Sequence, residues 1–273
     1  MTNILDKFRL DGKVAIVTGG AGLLGKQFCL TLAQAGANVL VADLNEQVAA
    51  ETAESITKQG FSAVPVKVNV TDPDSTRAMA AIAKDRFGRL DVLVCSAAMD
   101  PKFDPDHQGS HGNRFEDYPL DAWRQAVDVN LTGMFLCSQA VVPAMLEQEQ
   151  GVIITICSTY GLAGPDQRIY QKPDQPAQFK PAYYSVTKAG VLGFTRYLAA
   201  YYAGKNIRVN SLTPGGVYNG HDEHFEKAYS YRTMMGRMAH LDEMNGAMLF
   251  LASDASTYMT GSNLVVDGGW TAW

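Results

Sequence analysis

Short apolar runs rich in β-branched residues alternate along this chain with longer segments of helical periodicity. Seven such runs predict strands, at residues 14 to 19, 38 to 44, 63 to 70, 90 to 98, 151 to 158, 207 to 216 and 263 to 269. Most segments between them place apolar residues every three or four positions, as amphipathic helices do. Strands that alternate with helices are joined by right-handed crossovers, and strands that are apolar throughout are buried on both faces. The pattern therefore predicts an α/β fold with a doubly wound parallel sheet.

Three irregular segments interrupt this rhythm, at residues 99 to 119, 164 to 181 and 217 to 238. Each follows the carboxyl end of a predicted strand, which is where doubly wound folds bind their ligands. Loops of this length in a compact domain are usually functional. We therefore expect one domain over residues 1 to 273, with the three segments as its substrate loops.

The composition limits the classes of partner. With 47% hydrophobic residues among 273, the chain can fill one sizeable core. A net charge of -5 and a pI of about 5.5 leave no broad basic surface for nucleic acid. The first residues lack the apolar core of a signal peptide, and no run approaches the roughly 20 apolar residues of a membrane-spanning helix. The expectation is a cytoplasmic protein that binds neither nucleic acid nor a membrane.

A glycine-rich turn follows the first predicted strand. The sequence TGGAGLLG, from Thr18 to Gly25, leads directly into an amphipathic helix, whose free N–H groups and dipole attract a pyrophosphate. Asp43 ends the second strand, where a carboxylate accepts hydrogen bonds from an adenosine ribose and repels a 2'-phosphate. Neither Gly22 nor Leu44 supplies a cation to offset that repulsion. The sequence therefore predicts NAD rather than NADP as cofactor.

Several further motifs resemble those of the classical short-chain dehydrogenase/reductase (SDR) family over nearly the whole chain. They are Asn130 in VNLTG, Ser158 in ICSTYG, YSVTK from Tyr184 to Lys188, the PGG turn at Pro214, and FLASDASTYMTGSNLVVDGGW. The resemblance implies a Rossmann-type domain of seven strands, a nicotinamide cofactor, and frequent dimers or tetramers. The variant turn, the long loop after CSAA and the insertion before PAYYSVTK are also similar to a subgroup associated with flagellin modification and acidic amino-sugar biosynthesis.

Tyr184 and Lys188 are the predicted catalytic pair. Hydride transfer from an alcohol needs a base, but a free tyrosine has a pKa near 10 and is protonated at neutral pH. Lys188, four positions on, shares a helix face with Tyr184, and its ammonium together with the nicotinamide charge would lower that pKa. Tyr183 is the weaker candidate because Thr187 stands four positions after it.

The resemblance implies the other catalytic roles. Lys188 would also hold the nicotinamide ribose, Ser158 would hydrogen-bond the substrate oxygen, and Asn130 would support the lysine through a water relay. Thr159 and Ser185 compete with Ser158, which ends its strand and precedes Gly161 at the family's spacing.

The expected cofactor contacts extend along the whole edge of the sheet. They comprise Gly19, Gly22, Leu24, Gly25, Asp43, Leu44, Asn69, Val70, Ser96, Ala97, Tyr184, Lys188, Pro214, Gly215 and Val217. The sequence departs from the family at Leu23, where a glycine is usual, at CSAA, where NNAG is usual, at Asn69, where an aspartate is common, and at Asn219, where a threonine often stands.

The gap between Ser158 and Tyr184 is about twice the family's common spacing, so the extra residues must loop out beside the reacting carbon. We interpret 164 to 181 as a substrate lid, the alternative being a loop that contacts another subunit. Seven side chains offer positive charge to an anionic substrate, or form an ordinary solvated face: Arg168, Lys172, Lys180, His221, His224, Arg232 and Arg237.

The substrate expected from these loops is a sugar phosphate, a nucleotide sugar or a related polyhydroxylated compound. A smaller polyol, a simple sugar or a 3-oxoacyl compound is the alternative for an enzyme. A non-catalytic, NAD-sensing or scaffold protein is the alternative from another class, since fold does not fix function. Such a protein has no need for the intact set of Asn130, Ser158, Tyr184 and Lys188.

No metal site is expected. Asp104, Asp106, His107 and His111 lie together, but in a polar segment without a fixed scaffold, and we assign them to the substrate rim. The four cysteines lie in apolar runs and are expected to be reduced and buried. The helices that carry Asn130 and Tyr184 are long and apolar enough to pack against symmetry mates, which predicts a homodimer or homotetramer.

Overall fold

The computed structural model describes residues 3–100, 113–172 and 175–273. Its centre is a sheet of seven parallel strands in the order β3-β2-β1-β4-β5-β6-β7. The strands are β1 (Val14–Thr18), β2 (Asn38–Asp43), β3 (Ala63–Lys67), β4 (Val92–Cys95), β5 (Gly151–Ile156), β6 (Ile207–Pro214) and β7 (Asn263–Val266). The predicted doubly wound, Rossmann-type α/β fold is confirmed.

The register brings the strand ends to one edge. Thr18, the last residue of β1, lies beside Ala42 of β2 on one side and Cys95 of β4 on the other. The chain winds outward from β1 to β3 and then returns to place β4 on the other side of β1. Such a reversal opens a crevice at the carboxyl ends of the two central strands, and ligands bind there.

Eight α-helices accompany the sheet in the part of the chain that the structure describes. They are α1 (Leu23–Gln34), α2 (Glu46–Thr57), α3 (Pro73–Phe87), α4 (Leu120–Val127), α5 (Gly133–Glu147), α6 (Ala182–Tyr201), α7 (Glu223–Tyr231) and α8 (Asn245–Ala252). Short 3₁₀ turns follow β5 at Thr159–Gly161 and occupy Gln167–Tyr170. The irregular segments 164 to 181 and 217 to 238 thus contain some local structure, a 3₁₀ turn in the first and α7 in the second.

The core lies in two layers. Ala15 and Val17 face one side of β1 and join residues of α1, α2 and α8, whereas Val14 and Ile16 face the other side and join residues of α3, α5 and α6. Because side chains alternate across a strand, a strand covered on both faces is apolar at every position. All five residues of β1 are buried.

A long apolar helical segment forms part of the second layer. It runs from Leu120 to Glu147, and a π-helical turn, Asp128–Thr132, separates α4 from α5. This segment is long and apolar enough to cross a membrane, although the sequence predicted no such segment. Half of its most apolar window is buried inside the fold, as in the core helix of a soluble protein.

Candidate active site

A cleft of about 380 Å³ opens at the carboxyl edge of the sheet. It extends from the glycine turn after β1, past the ends of β4, β5 and β6, to the irregular segments. Ten of the predicted cofactor residues line it: Gly19, Gly22, Leu24, Gly25, Ser96, Tyr184, Lys188, Pro214, Gly215 and Val217. The other five predicted cofactor residues do not line this cleft: Asp43, Leu44, Asn69, Val70 and Ala97.

The glycine turn is packed so tightly that side chains are excluded. A Cβ at Gly25 would lie 2.0 Å from the carbonyl oxygen of Gly19, and one at Gly19 would lie 2.8 Å from the backbone of Ala97. Gly19 also has a φ of +64°, a conformation that favours glycine. Leu23, the departure from the family pattern, begins α1 with its side chain 39% exposed.

The start of α1 can bind an anion. Gly22 is the N-cap residue and has no side chain to accept from the first N–H groups of the helix. These N–H groups also lack a carbonyl partner within the helix, because no helical turn precedes them. The helix dipole adds positive potential at the same place. Bare backbone donors beside a glycine cradle are the surroundings that a pyrophosphate needs, so these residues fit a dinucleotide.

Asp43 fastens the end of β2 to this turn. One carboxylate oxygen accepts a hydrogen bond from the Ala21 N–H at 3.0 Å, and the other accepts one from the Asn45 N–H at 3.0 Å. Leu44, beside it, is 66% exposed. The carboxylate therefore has a fixed position and no neighbouring cation at residue 44.

Three of the predicted cofactor contacts, Asn69, Val70 and Ala97, do not line the cleft. Asn69 is exposed after β3, and its Oδ1 accepts hydrogen bonds from the backbone N–H and the hydroxyl of Thr71, at 3.1 and 2.8 Å. Val70 is buried and packs directly against Gly133, so that a Cβ at Gly133 would clash with the Val70 side chain. The Ala97 N–H donates to the Thr18 hydroxyl at 3.4 Å.

Tyr184, Ser158 and Lys188 come together in the middle of the cleft. Ser158, two residues after the end of β5, and Tyr184 of α6 line the same part of the cleft. The Lys188 Nζ lies 5.8 Å from the centroid of the Tyr184 ring and donates to the carbonyl oxygen of Ile156 at 2.9 Å. Tyr183 does not line the cleft; it is buried against Tyr118, with 5.9 Å between ring centroids.

The surroundings of this group favour its neutral forms. Burial raises the pKa of the Tyr184 phenol, the nearby Asp100 carboxylate raises it further, and the hydrogen bond from Ser158 opposes them. Burial likewise lowers the pKa of the Lys188 ammonium. Both shifts have one physical cause, because charge is poorly solvated in a closed site. The polypeptide by itself therefore holds Tyr184 as a protonated phenol.

Asn130 lies in the π-helical turn and joins two elements. Its amide oxygen accepts from the Met99 N–H at 2.7 Å, and its amide nitrogen donates to the Met99 carbonyl at 3.3 Å and to the Thr187 hydroxyl at 3.1 Å. Irregular turns of this kind often occur at functional sites. Asn130 thus fixes the segment after β4 against α6, at Thr187, the residue before Lys188.

An aromatic cluster, which the sequence analysis missed, closes the substrate end of the cleft. It consists of Tyr160, Tyr170, Tyr229 and Trp270. The Tyr170 hydroxyl donates to the Tyr160 hydroxyl at 2.8 Å, and Trp270 stacks on Tyr229 with 6.1 Å between ring centroids. The residues come from four separate segments, so no local sequence pattern marks them.

Most of the seven predicted cationic side chains form ion pairs with carboxylates of the protein. Asp166 accepts from both Arg168 and Arg232 at 2.7 Å, which joins the predicted lid to the segment after β6. Lys172 pairs with Asp222 at 3.0 Å, and Arg237 pairs with Glu243 at 2.6 Å. Among the seven, Lys180 and His221 line the cleft.

Metal-binding and thiol chemistry find no support in the described ranges. No group of three or more His, Cys, Asp or Glu residues there is arranged to hold a metal ion. Asp104, Asp106, His107 and His111 lie outside the described residues. All four cysteines are free and buried, and burial raises the pKa of the Cys95 thiol to about 12.

Comparisons with known proteins cover the whole length. The sequence profile of a family described as enoyl-(acyl carrier protein) reductase matches residues 20–271. The chain is 37% identical to trans-4-hydroxycyclohexanecarboxylate dehydrogenase of Sinomonas cyclohexanicum, over 97% of this chain and 95% of that protein.

Two solved structures resemble this one closely. A short-chain type dehydrogenase/reductase from Mycobacterium marinum has a TM-score of 0.85 and 34% identity, covering 100% of both chains. A gluconate 5-dehydrogenase from Burkholderia cenocepacia, in complex with NADP and tartrate, has a TM-score of 0.84 and 32% identity, covering 99% of this chain and 100% of that one.

Proposed function

This chain belongs to the short-chain dehydrogenase/reductase family, whose enzymes act on CH–OH groups with a nicotinamide cofactor, and we propose that it interconverts a secondary alcohol and a ketone of a polyhydroxylated compound with NAD(H). One observation carries the proposal. Tyr184, Ser158 and Lys188 line one cleft between the glycine turn and the aromatic cluster, and the Ser158 hydroxyl opposes the rise in the pKa of the Tyr184 phenol.

The two hydroxyl groups hold the substrate oxygen. The bound nicotinamide supplies the hydride acceptor in oxidation and the hydride donor in reduction. In oxidation the carbinol C–H bond breaks with loss of a hydride, the O–H proton passes to the Tyr184 oxygen, and the C=O bond forms. In reduction Tyr184 returns that proton to the carbonyl oxygen while Ser158 keeps its hydrogen bond.

The protonation state of Tyr184 sets the pH dependence. Reduction uses the phenol, which is the form that burial favours, whereas oxidation needs the phenolate. A bound nicotinamide would supply positive charge, and together with the Lys188 ammonium, which donates to the Ile156 carbonyl, it would oppose the effect of burial. We expect oxidation to become faster and reduction slower as the pH rises.

The preference for NAD follows from Asp43. Its carboxylate is fixed at the end of β2, where it accepts hydrogen bonds from ribose hydroxyls and repels a 2'-phosphate. The Burkholderia relative is in complex with NADP, so the choice between the two cofactors depends on the individual protein. The contacts that we propose for the cofactor are those of the sequence analysis, with Lys188 on the nicotinamide ribose.

The substrate class draws on the relatives and on the cleft. One relative is named for a hydroxylated cyclic acid and another for gluconate, and both substrates carry secondary hydroxyl groups. The aromatic cluster and the two cleft-lining cations, Lys180 and His221, give this chain apolar and charged surfaces for such a compound. A polyhydroxylated acid accordingly ranks before the sugar phosphates and nucleotide sugars.

We also propose a cytoplasmic homodimer or homotetramer. Four large apolar side chains on α5 and α6 are each at least 46% exposed: Phe135, Val186, Tyr197 and Tyr201. Large apolar side chains clustered on the surface are typical of an interface. Sedimentation that detects only monomer at micromolar concentration would refute this assembly.

The experiment is a rate assay at 340 nm with NAD and NADP. Gluconate, glucitol, 4-hydroxycyclohexanecarboxylate and a sugar phosphate are tested for oxidation with these cofactors, and a 3-oxoacyl ester is tested for reduction with NADH and NADPH. We expect turnover of a polyhydroxylated compound with NAD, and a loss of about 100-fold to 10,000-fold in kcat in Tyr184→Phe, the range for general acid–base groups. Tyr183→Phe is the matched control and retains its rate.

Two outcomes contradict the proposal. Turnover that survives Tyr184→Phe removes this residue from its role. Tight NADH binding without turnover of any compound on the panel favours the non-catalytic, NAD-sensing alternative.

A further inference from the structure

A lysine outside the catalytic group lies directly against the catalytic tyrosine. Lys180 is only 8% exposed, and its Nζ is 4.0 Å from the centroid of the Tyr184 ring. It lines the cleft on the substrate side. Lysines are rarely buried unless they are paired, because the ammonium loses its hydration. A buried ammonium at the reacting group therefore calls for an explanation beyond stability.

The backbone of Lys180 is held in place before any substrate arrives. The Gln167 side-chain amide donates to the Lys180 carbonyl at 3.0 Å, and its oxygen accepts from the Lys180 N–H at 2.9 Å. Gln167 belongs to a 3₁₀ turn of the predicted lid. The Gln167 amide thus fixes both the N–H and the carbonyl of Lys180. The fixed backbone directs the Lys180 side chain into the cleft.

The counterion of Lys180 is far less confined. Asp100 lies 2.5 Å from the Nζ, but its side chain is 64% exposed against 8% for the lysine. Asp100 follows Met99, whose backbone Asn130 holds. The carboxylate can therefore turn into solvent when another anion takes its place, whereas the ammonium stays in the cleft. A second carboxylate arriving from the cleft would replace the interaction without leaving a buried charge unpaired.

We propose that Lys180 binds a carboxylate of the substrate, and that Asp100 occupies this place until the substrate carboxylate replaces it. The inference rests on the proposed function and makes its substrate class more definite: a hydroxy acid whose carboxylate reaches Lys180 while a carbinol of the same molecule lies at Tyr184. The Tyr184 hydroxyl and the Lys180 ammonium then bind two groups of one small molecule.

A matched pair of ligands tests the proposal. Gluconate and glucitol differ at one end, where gluconate carries a carboxylate and glucitol a carbinol. In Lys180→Met we expect kcat/KM for gluconate to fall about 30-fold, mainly through KM, the range for losing a hydrogen bond to a charged group. The value for glucitol should change less than about threefold. Lys180→Arg should restore much of the preference for the acid.

Two further variants sharpen the result. Asp100→Asn removes the competing carboxylate, so the ratio of the KM for gluconate to the KM for glucitol should fall. Lys172→Met is the control, because Lys172 lies in the same segment but pairs with Asp222 and does not line the cleft. Equal losses for both ligands in Lys180→Met, or equal effects of the two lysine variants, overturn the proposal.

Equilibrium binding separates this proposal from the proposed function. Calorimetric titration of gluconate and of 4-hydroxycyclohexanecarboxylate into the NADH complex needs no turnover. Acid binding that Lys180→Met abolishes supports the proposal even where no acid is oxidised. Wild-type protein that binds neither acid more tightly than its neutral counterpart, or acid binding unchanged in both Lys180→Met and Lys180→Gln, refutes it.

Discussion

The two ends of the cleft are built in different ways. The cofactor end consists of backbone: a glycine turn packed against the end of β4, the bare start of α1, and a carboxylate held by two N–H groups. The substrate end consists of side chains: the aromatic cluster, the Lys180–Asp100 pair, and Asp166 between two arginines.

The difference shows how proteins of one fold can bind the same cofactor while they act on different substrates. Backbone geometry tolerates almost no substitution, because a single Cβ would clash with main-chain atoms at the turn. Side chains on irregular segments can be exchanged while the sheet stays as it is. We therefore expect changes at the cofactor end to affect every substrate equally, and changes at the substrate end to leave dinucleotide binding intact.

The largest effect is expected for Gly25→Ala. The new Cβ would lie 2.0 Å from the Gly19 carbonyl oxygen, so the turn must move. We expect NADH affinity to fall at least about 100-fold, or about 2.7 kcal/mol, and the free energy of unfolding to fall by about 1–3 kcal/mol, as for overpacking. Fluorescence titration and chemical denaturation measure the two.

Gly193→Ala is the matched control for a helical glycine. Gly193 lies in α6, and a Cβ added there would have no neighbouring atom within 4 Å, so alanine should raise the free energy of unfolding by up to about 1 kcal/mol. NADH binding that is equally strong in both variants would show that the turn is not the dinucleotide cradle.

An intermediate effect is expected for Asp43→Asn. The change removes the charge that repels a 2'-phosphate and weakens a hydrogen bond to the ribose, which is worth about 1.5–3 kcal/mol for a charged group. The ratio of kcat/KM with NAD to that with NADP should fall about 10-fold to 100-fold. Glu46→Gln, an acid in the first turn of α2, is the control. An unchanged ratio in Asp43→Asn would remove this residue from cofactor choice.

The smallest effect is expected for Asp166→Asn at the substrate end. Its hydrogen bond with Arg168, above all, holds the pKa of the Asp166 carboxyl below its ordinary value. Loss of the charge should raise the KM of the substrate about fivefold, since such ion pairs contribute up to about 1 kcal/mol. The affinity for NADH should stay unchanged. A parallel loss of NADH affinity would contradict the separation of the two ends.

The same carboxylate has a defined pH dependence. A depressed pKa means that Asp166 stabilises the fold at neutral pH and loses this contribution as the pH falls through and below about 4, the ordinary range of aspartate. The difference in Tm between the wild-type protein and Asp166→Asn should therefore shrink towards pH 3. Glu54→Gln, which removes an exposed ion pair with Lys58 on α2, should give little difference at any pH.

The sequence allowed prediction of the sheet and of the meeting of Tyr184, Lys188 and Ser158 in one cleft for a common reason. Tyr184 and Lys188 are four positions apart on one helix, and Ser158 lies two residues after the end of β5, so regular geometry brings them to the same edge. The strand ends were harder to predict: the run 90 to 98 leaves the sheet at Cys95, because the residues after it turn towards the cleft.

The rest depends on contacts between distant segments. Lys180 meets Asp100 across 80 positions in the chain, and the aromatic cluster assembles from four segments without periodicity. The cations near 164 to 181 and 217 to 238 are visible in the sequence, but their partners are not. Only the folded chain shows that Asp166 neutralises two of them while Lys180 faces the cleft.

The buried indole of Trp270 gives the substrate end an optical signal of its own. It is 2% exposed, lies edge-on to Tyr160, and has the Arg232 guanidinium 4.8 Å from its ring, whereas Trp273 is 73% exposed. Emission from an indole shifts to shorter wavelength when water is excluded. Because Trp270 contacts Tyr160 and Tyr229, which line the cleft, we expect occupation of the substrate end to change its emission once Trp123 and Trp273 are replaced by phenylalanine.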